Sequence, residues 1–393
     1  MASATPNPRL GRFIETVTAG ERVKAFVPPP LPPDPAIRLE GLLSRLSAAD
    51  RALGLLDGVS VLLPDPELFL YMYVRKEAVL SSQIEGTQST LSDLLRFENA
   101  AIEGEPIDDI REVSSYVDAL MYGLERLREL PISLRLIREM HARLMASGRG
   151  ATENPGEFRT SQSWIGGTRP GNAIFVPPPP NELMRCLDAF EKFIHLESPD
   201  LPPLIKAGLL HVQFETIHPF LDGNGRIGRL LITLYLRAQG ILKQPLLYLS
   251  LYFKQHRSDY YRLLQEVREN GSWEAWLEFF LDGVAETAHQ AFETATRIVD
   301  LFKADRERIH QSGERVASVL DVYELMRTTP FLTAIAAAAR SGLTMPTVNA
   351  ALAQLQALGI AHEITGRKRN RVFAYRAYLD ILGEGAEPLK QGG

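Results

Sequence analysis

The sequence predicts a mainly helical protein with one β-hairpin and a small C-terminal module of helices and strands. Apolar residues recur at helical spacing in much of the chain, for example over residues 37–56 and 203–216. Two short β-prone runs separated by turn residues at 163–176 predict a hairpin. Within residues 314–382, three helical stretches and two extended runs form a pattern typical of a winged helix-turn-helix.

The composition narrows the class of protein. Of the 393 residues, 45% are hydrophobic and 23% are charged, as in ordinary soluble globular proteins. The net charge of −5 argues against broad non-specific nucleic-acid binding but permits a local basic patch. Cys186 is the only cysteine, which excludes an intramolecular disulfide and a cysteine-built zinc site. No run approaches the ~20 apolar residues of a membrane span, and residues 1–20 lack the apolar region of a signal peptide, so a cytoplasmic location without membrane contact is expected.

The length favours more than one domain, and changes of composition suggest where the boundaries fall. Prolines dominate residues 28–35, which predicts an extended arm because proline cannot continue a helix. The predicted units are a proline-rich arm at 1–35, an N-terminal helical region at 36–110, a central helical domain at 111–310, the winged module at 314–382 and a frayed tail at 383–393.

The most informative stretch is the polar loop from His218 to Arg229, which joins two apolar helices. Pro219 disfavours the helical conformation at His218, so this imidazole turns away at the end of a helix. Gly223, Gly225 and Gly228 let the backbone N–H groups converge where side chains would block them. The start of the next helix, with unpaired N–H groups and the positive end of its dipole, then favours a bound anion.

The charged residues of this loop indicate which anion is bound. Arg226 and Arg229, three positions apart, are expected to share one face of the helix's first turn, where they oppose the dipole unless an anion lies between them. Asp222 offers an oxygen ligand of the kind that holds Mg²⁺ against phosphates. With His218 as a base, the set predicts phosphoryl or nucleotidyl transfer to a hydroxyl.

The same residues carry a resemblance to a known family. Positions 218–229 match the signature HxFx(D/E)GNGRxxR at every defining position, so the chain resembles a Fic protein. The resemblance implies a Fic-type helical core with residues 111–310 as the catalytic domain. It also implies protein adenylyltransferase (AMPylation) activity, the transfer of AMP from ATP to a Tyr, Thr or Ser hydroxyl of a target protein, this chain itself included. By resemblance, His218 is the base, Phe220 is a hydrophobic pin under the loop, and Asp222 is the Mg²⁺ ligand. The resemblance also implies that Gly223, Asn224 and Gly225 form the anion hole and that Gly228 belongs to the same phosphate-binding loop. Arg226 and Arg229 are then the ligands of the outer phosphates.

A second motif precedes the catalytic loop. On a helix predicted from about residue 67 to 83, Ser81 and Glu85 fall on one face a turn apart. Taken alone, a glutamate followed by glycine near a helix end is typical of a surface. The segment Ser81–Gly86 nevertheless resembles the inhibitory motif [S/T]xxxE[G/N] of Fic proteins, which implies autoinhibition. A carboxylate reaching Arg229 would occupy the position of the terminal phosphate and repel its charge.

Further site residues are expected from the same resemblance. It implies that the hairpin at 163–176 is a flap over the active site, where an extended target segment pairs with its edge; whether Trp164 packs or contacts adenine stays open. Adjacent Tyr260 and Tyr261 cannot both face the core of a helix, and similar tyrosines border the nucleotide in Fic proteins. His141 and His211 lie among apolar residues, which favours packing roles for both.

Two questions of function stay open from the sequence. The basic tip at 366–371 favours DNA binding by the winged module, but its helix 345–358 contains no Lys or Arg, which slightly favours a protein-contact or homodimerisation role. The alternatives for the whole chain are a DNA-binding or antitoxin-like regulator with restrained catalysis and a Fic enzyme with another donor, such as UMP or phosphocholine transfer. Relatives that transfer a terminal phosphate carry lysine in place of the second glycine, so Gly225 disfavours that reaction.

Overall fold

The computed structural model describes residues 8–62, 66–98, 108–148, 151–313, 315–367 and 369–389. It confirms a mainly helical fold with short strands. The N-terminal and central elements are β1 Arg12–Thr18, β2 Glu21–Val27, α1 Leu43–Leu62, α2 Pro66–Ile84, α3 Leu91–Phe97, α4 Asp108–Arg126, α5 Leu134–Leu144, α6 Pro180–His195, α7 Pro203–Ile217 and α8 Asn224–Ala238. They are followed by α9 Ser250–Gln255, α10 Arg257–Asn270, α11 Trp273–Gln311, α12 Val316–Thr328, β3 Phe331–Thr333, α13 Ala334–Ser341, α14 Met345–Ala357, β4 His362–Glu363, β5 Val372–Ala374 and α15 Arg376–Gly383.

The core of the molecule is centred on α7. Every residue from Leu204 to Ile217 is buried, so this helix is enclosed on all sides by the rest of the protein. The one lysine of this helix, Lys206, is accommodated because its Nζ donates to the carbonyls of Ile194 at 2.9 Å and Leu196 at 2.7 Å, at the end of α6. Helix α8 packs against α7, so the loop between them is held by two buried helices.

Helix α11 links the central helices to the C-terminal part. It runs without interruption over 39 residues. Helix α1 packs along it. Near its end, Asp305 accepts a hydrogen bond from the Tyr375 hydroxyl at 2.6 Å, and the Phe302 carbonyl accepts one from Tyr323 at 3.1 Å. Buried polar contacts of this kind fix the C-terminal part to the helix.

The N-terminal region differs from the expected extended arm. Strands β1 and β2 form an antiparallel hairpin in register from Arg12 opposite Val27 to Thr18 opposite Glu21. Its turn, Ala19–Gly20, has positive φ at both positions, 49° and 81°, the geometry of the tight turns that join twisted strands. The alternation of β-branched residues was present in the sequence, but the prolines at 28–35 dominated the prediction for the whole segment.

The predicted hairpin at 163–176 is present in a reduced form. Its two runs meet at one antiparallel bridge, Ile165 with Phe175, and a short 3-10 helix at Pro170–Asn172 lies between them. Two consecutive glycines, Gly166 and Gly167, have positive φ, so the chain turns immediately after the bridge. We call residues 163–176 the flap. The N-terminal hairpin supports it, because the Phe26 N–H donates to the Val176 carbonyl at 2.8 Å.

The C-terminal part contains the expected helices, α12, α13 and α14, and a three-stranded antiparallel sheet of order β3-β5-β4. The expected frayed tail at 383–393 is wrong for its first residues. Glu384 forms two hydrogen bonds of 2.6 Å with Arg297 on α11, and Ala386 is only 3% exposed. Among the helices in the described part of the chain, none is long and apolar enough to cross a membrane.

Candidate active site

The loop between α7 and α8 begins with a change of backbone direction at His218. This residue has φ 50° and ψ 61°, a left-handed conformation that ends α7, in agreement with the effect expected of Pro219. The Nε atom of the buried Arg159 donates to the His218 carbonyl at 2.8 Å. The guanidinium of Arg159 also donates to the carbonyl of Pro178 at 2.5 Å. Arg159 therefore connects the catalytic loop to the segment that follows the flap.

Asn224 closes the loop through its side chain. Its Oδ1 accepts the Phe220 N–H and its Nδ2 donates to the Phe220 carbonyl, both at 2.8 Å. Phe220 is fully buried, as expected for a pin under the loop. The side-chain amide of Asn224 is thus engaged with the backbone of the loop, so Asn224 contributes to an anion hole only through its main chain and through the shape that it gives the loop.

His141 on α5 supports the same loop, which the sequence did not suggest. Its ring is stacked on Phe220, with 3.7 Å between centroids and 3° between planes. Its Nδ1 accepts the Gly156 N–H at 2.9 Å and its Nε2 lies 3.0 Å from the Asp222 carbonyl, which requires the neutral tautomer with hydrogen on Nε2. Burial lowers the pKa of His141 to about 4, consistent with that neutral form. The helical spacing around His141 carried no signal that it touches a loop 81 residues away.

Asp222 is the accessible carboxylate of the loop. Its side chain is 45% exposed, and its Oδ1 accepts the Gly223 N–H at 2.6 Å. Gly223 has φ 76°, and a Cβ at this position would lie 2.9 Å from the Sδ of Met145. Glycine is therefore required here both for backbone conformation and for space.

The sequence placed Arg226 and Arg229 around one anion, and in the structure their guanidiniums contact different carboxylates. Its guanidinium is buried and its Nη1 lies 2.7 Å from the Glu112 Oε1 on α4, with side chains 3% and 2% exposed. Its Nη2 lies 3.6 Å from the Asp222 Oδ2. Arg226 thus joins α8 to α4 and places a buried positive charge next to Asp222 of the loop.

Arg229 is bound by the motif at the end of α2. Its Nη2 lies 2.6 Å from the Glu85 Oε1, its Nε donates to the Ser81 Oγ at 2.9 Å, and Nη2 also donates to the Ser81 carbonyl at 3.1 Å. Burial raises the pKa of Glu85, but the charge and the hydrogen bond of Arg229, together with the charge of Arg226, outweigh this effect, so the pKa lies below its ordinary value. The predicted contact of Glu85 with Arg229 is present in the structure, and the contacts of Ser81 with the same guanidinium add to it.

Gly225 explains how Glu85 approaches the start of α8. A Cβ on Gly225 would lie 2.3 Å from the Glu85 Oε1 and 3.0 Å from the Nη1 of Arg229, so only glycine leaves room for an oxyanion here. The first turn of α8 has unpaired N–H groups and the positive end of the helix dipole. The carboxylate of Glu85 therefore lies against Gly225 at this helix start and is bound by Arg229.

Burial and neighbouring charges set the protonation states of His218 and Glu215 at the end of α7. Burial, followed by the charges of Arg268 and Arg159, lowers the pKa of His218 to about 3, so its imidazole is neutral at pH 7 and able to accept a proton. Burial raises the pKa of Glu215, one turn earlier on α7, to about 7. Arg268 donates to the Glu215 carbonyl at 3.1 Å and lies 4.0 Å above the ring of Phe175 in the flap. Arg268, absent from the predicted site, thereby connects the flap to the end of α7.

The two tyrosines of α10 have rings in contact, with 5.1 Å between centroids, but they differ in exposure. Tyr260 is 1% exposed, and its hydroxyl lies 2.8 Å from the Nε2 of His211, which agrees with a packing role for that histidine. Tyr261 is 41% exposed. The expectation that they cannot both face the core is confirmed. Tyr260 belongs to the core beneath the site, so of the two only Tyr261 is exposed to a ligand. Gly228 lies in α8 against Glu215 and Phe214, where a Cβ would lie 2.3 Å from the Glu215 Oε1.

Comparison with known families agrees with this geometry. Residues 43–125 match the Fic/DOC family N-terminal region, and residues 131–236 match the Fic/DOC family. The solved structure of a Fic family protein from Desulfovibrio desulfuricans G20 superposes with a TM-score of 0.51 at 19% identity, covering 84% of this chain and 95% of that one. A Fic domain containing signaling protein from Bacteroides thetaiotaomicron VPI-5482 gives the same TM-score and identity, with 64% and 95% covered. These structures share the fold.

Curated proteins give a similar result over part of the chain. The protein adenylyltransferase Fic of Drosophila grimshawi is 33% identical over 208 residues, 52% of this chain and 40% of that protein. The protein of the same name from Drosophila melanogaster is 28% identical over 256 residues, 61% of this chain and 49% of that protein. The chain thus spans less than half the length of these relatives. Residues 131–236 are a Fic domain, preceded at residues 43–125 by the N-terminal region of the Fic/DOC family.

Proposed function

We propose that the protein is an adenylyltransferase that transfers AMP from ATP to a Tyr, Thr or Ser hydroxyl of a target protein. One observation carries the proposal: an oxyanion, the Glu85 carboxylate, is already bound between Arg229 and the start of α8 at a position that Gly225 keeps open. Main-chain amides and arginine are the groups that bind phosphates. The relatives that match the Fic domain are named protein adenylyltransferases.

In the proposed reaction, His218 removes the proton from the attacking hydroxyl. The oxygen attacks the α-phosphorus of ATP in line, and pyrophosphate leaves with the electron pair of the broken P–O bond. His218 accepts the proton because it is neutral before attack. The negative charge of a bound triphosphate raises its pKa, which makes the imidazole a stronger base only when substrate is present. The amides at Gly223–Gly225 stabilise the developing charge.

Asp222 fits a bound Mg²⁺. It is a half-exposed carboxylate whose Oδ1 is fixed by the Gly223 N–H. Mg²⁺ is held in nucleotide sites through one or two carboxylates and the phosphates of the substrate, and it neutralises their charge when bound. Among the described residues, no cluster of three or more His, Cys, Asp or Glu side chains offers an all-protein metal site, which agrees with a metal that arrives with ATP.

In this proposal Glu85 inhibits the enzyme from within the same chain. Its carboxylate holds Arg229 at 2.6 Å, and a terminal phosphate that needs the same guanidinium would meet the carboxylate charge there. ATP would then bind with its α-phosphate displaced from in-line attack. Residues 163–176 are proposed as the flap that aligns the target, since an extended segment can pair with an exposed edge. Tyr261 is the proposed nucleotide contact on α10.

The test compares four proteins with labelled ATP and a lysate: the parent chain, Glu85→Gly, His218→Ala and the double variant that carries both changes. We expect weak labelling by the parent, at least tenfold more by Glu85→Gly, and none by Glu85→Gly combined with His218→Ala. Equal labelling by parent and Glu85→Gly would remove the inhibitory role. Labelling that survives His218→Ala would remove the proposed base. Competition with unlabelled nucleotides and with CDP-choline distinguishes AMP transfer from the alternative donors.

A second function is favoured by the C-terminal part alone. We propose that residues 314–382 form a winged helix-turn-helix, as their helices and small sheet suggest, within the division at 35, 110, 310 and 382 given above. Arg367 and Arg369 are exposed at the tip between β4 and β5, as in a wing that contacts phosphates. Retention of labelled DNA by the full chain at low salt, lost in a variant with both arginines changed to Ala, would support a regulator that binds DNA. If the chain retains no DNA at low salt, the result would favour protein contact or dimerisation as the role of residues 314–382.

A further inference from the structure

Residues 384–387, which follow α15, occupy a groove formed by α2, α9 and α11. Ala386 lies inside it, and its carbonyl accepts a hydrogen bond from the Gln83 Nε2 at 2.9 Å. The Nζ of Lys254 donates to the carbonyl of Gly385 at 3.1 Å and to that of Glu387. We call residues 384–387 the C-terminal strap. Side chains of α2 and α9 thus donate hydrogen bonds to the main-chain carbonyls of the strap, as in a docked peptide.

The groove beneath the strap contains two buried lysines. Lys254 is 6% exposed and Lys76 is 2% exposed. Burial lowers the pKa of each to about 8, and the carboxylates of Glu384 and Glu387 oppose this effect at Lys76. Buried ammonium groups are costly unless they are hydrogen-bonded or paired. Without the strap, Lys254 would lose both of its carbonyl acceptors, so the strap and the groove complement each other in charge and hydrogen bonding.

Gln83 connects the strap to the turn that carries Glu85. Its Nε2 donates to Ala386 and also to the Ser89 carbonyl, both at 2.9 Å. The turn between these points is fixed by main-chain bonds, from the Glu85 N–H to the Ser82 carbonyl at 3.0 Å and from the Gly86 N–H to the Gln83 carbonyl at 3.1 Å. The side chain of Gln83 therefore links the C-terminal strap to both sides of the turn from which Glu85 reaches Arg229.

We propose that the groove is a docking site for the chain's own residues 384–387, and that its occupancy holds Glu85 on Arg229. When the strap leaves, Gln83 loses one acceptor and the end of α2 loses a cover, so the turn gains freedom and Glu85 departs more often. The strap follows α15, which begins two residues after β5, so movement of the C-terminal module is transmitted to it. The consequence for catalysis rests on the proposed function, whereas the docking itself does not.

The first experiment measures the turn directly. Ala386→Arg places a long charged side chain in the groove, and Ala377→Arg makes the same change at an exposed position of α15. We expect hydrogen exchange at the amides of Glu85 and Gly86 to become at least tenfold faster in Ala386→Arg and to stay unchanged in Ala377→Arg. A chain ending at Gly383 provides a second variant with the same expectation. Unchanged exchange in both groove variants would overturn the proposal.

The second experiment measures labelling and separates the two proposals. Ala386→Arg should raise AMP incorporation toward that of Glu85→Gly, and should add nothing in a protein that already carries Glu85→Gly. Incorporation at the level of Ala377→Arg, with Glu85→Gly fully active, would mean that the strap only packs. If Glu85→Gly transfers no AMP, the proposed function fails, and the exchange rates still decide whether the strap holds the turn.

Discussion

The Oε1 of Glu85 lies 2.6 Å from the Nη2 of Arg229, across 144 residues of sequence. The same guanidinium is held from the side by the Oγ and the carbonyl of Ser81. Because the pKa of Glu85 is below its ordinary value, the carboxylate stays charged and the pair stays intact throughout the neutral range. Inhibition through this pair is therefore expected to be relieved by movement of α2 rather than by mild acid.

Gly225→Ala tests whether this anion position is shared by Glu85 and a nucleotide. The new Cβ would lie 2.3 Å from the Glu85 Oε1, so the carboxylate must shift and a phosphate oxygen would meet the same obstruction. In a protein that already carries Glu85→Gly, we expect the KM for ATP to rise at least tenfold, measured by labelled AMP transfer.

The control for that experiment is Gly54→Ala on α1, where a Cβ meets nothing within 4 Å. An unchanged KM in Gly225→Ala would mean that phosphates bind elsewhere along α8. In both variants, folding is expected to be preserved because alanine is favourable in helices.

Glu112→Ala tests the buried pair with Arg226. Both side chains are almost fully buried, and removing one member leaves an uncompensated charge, which costs about 3–5 kcal/mol of folding free energy. We expect the free energy of unfolding in urea to fall by that amount. Asp118→Ala removes a matched exposed pair with Arg143 and is expected to cost below about 1 kcal/mol. Equal losses in the two variants would contradict burial of Arg226.

Whether the sequence alone predicted a feature depended on how far apart along the chain the residues that form it lie. The break at His218, the glycine positions and the anion site at the start of α8 depend on neighbours in the chain, so the sequence alone predicted them. The sequence did not show that Arg226 pairs with Glu112, because this partner lies 114 residues away, and it did not show that His141 contacts the loop, for the same reason. The contact of Glu85 with Arg229 is long-range as well, and it was predicted only through the resemblance to a family.

Two further differences arise at the ends of the chain. Ala19–Gly20 and the alternating pattern around it specify a hairpin, but the neighbouring prolines suggested an extended arm. At the other end, the composition of Gly383 to Gly393 is that of a tail, and nothing local indicates that Gln83 and Lys254 accommodate Ala386. Docking of a polar segment depends on acceptors in its main chain, which every sequence has, and so it leaves no compositional signal.

His141→Phe tests support of the catalytic loop. Phenylalanine can keep the stack on Phe220 but leaves the Gly156 N–H and the Asp222 carbonyl without their partner, at a cost of about 1–3 kcal/mol for each buried group. We expect AMP transfer by the Glu85→Gly form to fall at least tenfold, with a higher Mg²⁺ concentration needed for half-maximal rate because Asp222 loses its position. His141→Gln, which keeps a donor and an acceptor, should restore part of the Mg²⁺ dependence. A rate loss without any change in Mg²⁺ dependence would indicate a packing role only.

Glu77→Gln tests the buried carboxyl on α2. The Glu77 Oε1 accepts from the Ser250 Oγ at 2.5 Å and its Oε2 from the Ser250 N–H at 3.2 Å, and burial raises its pKa from 4.5 to about 7. A raised carboxyl pKa means that the folded state binds the proton more tightly than the unfolded state. Its contribution to stability is therefore complete below pH 4.5 and is lost as the pH rises to about 7. Removing this titration should flatten the dependence of unfolding free energy on pH between 5 and 7 by up to about 3 kcal/mol, measured by urea denaturation. Glu125→Gln at an exposed position is the control, and a profile in Glu77→Gln that matches the parent would show that Glu77 is ionised in the folded protein at pH 5.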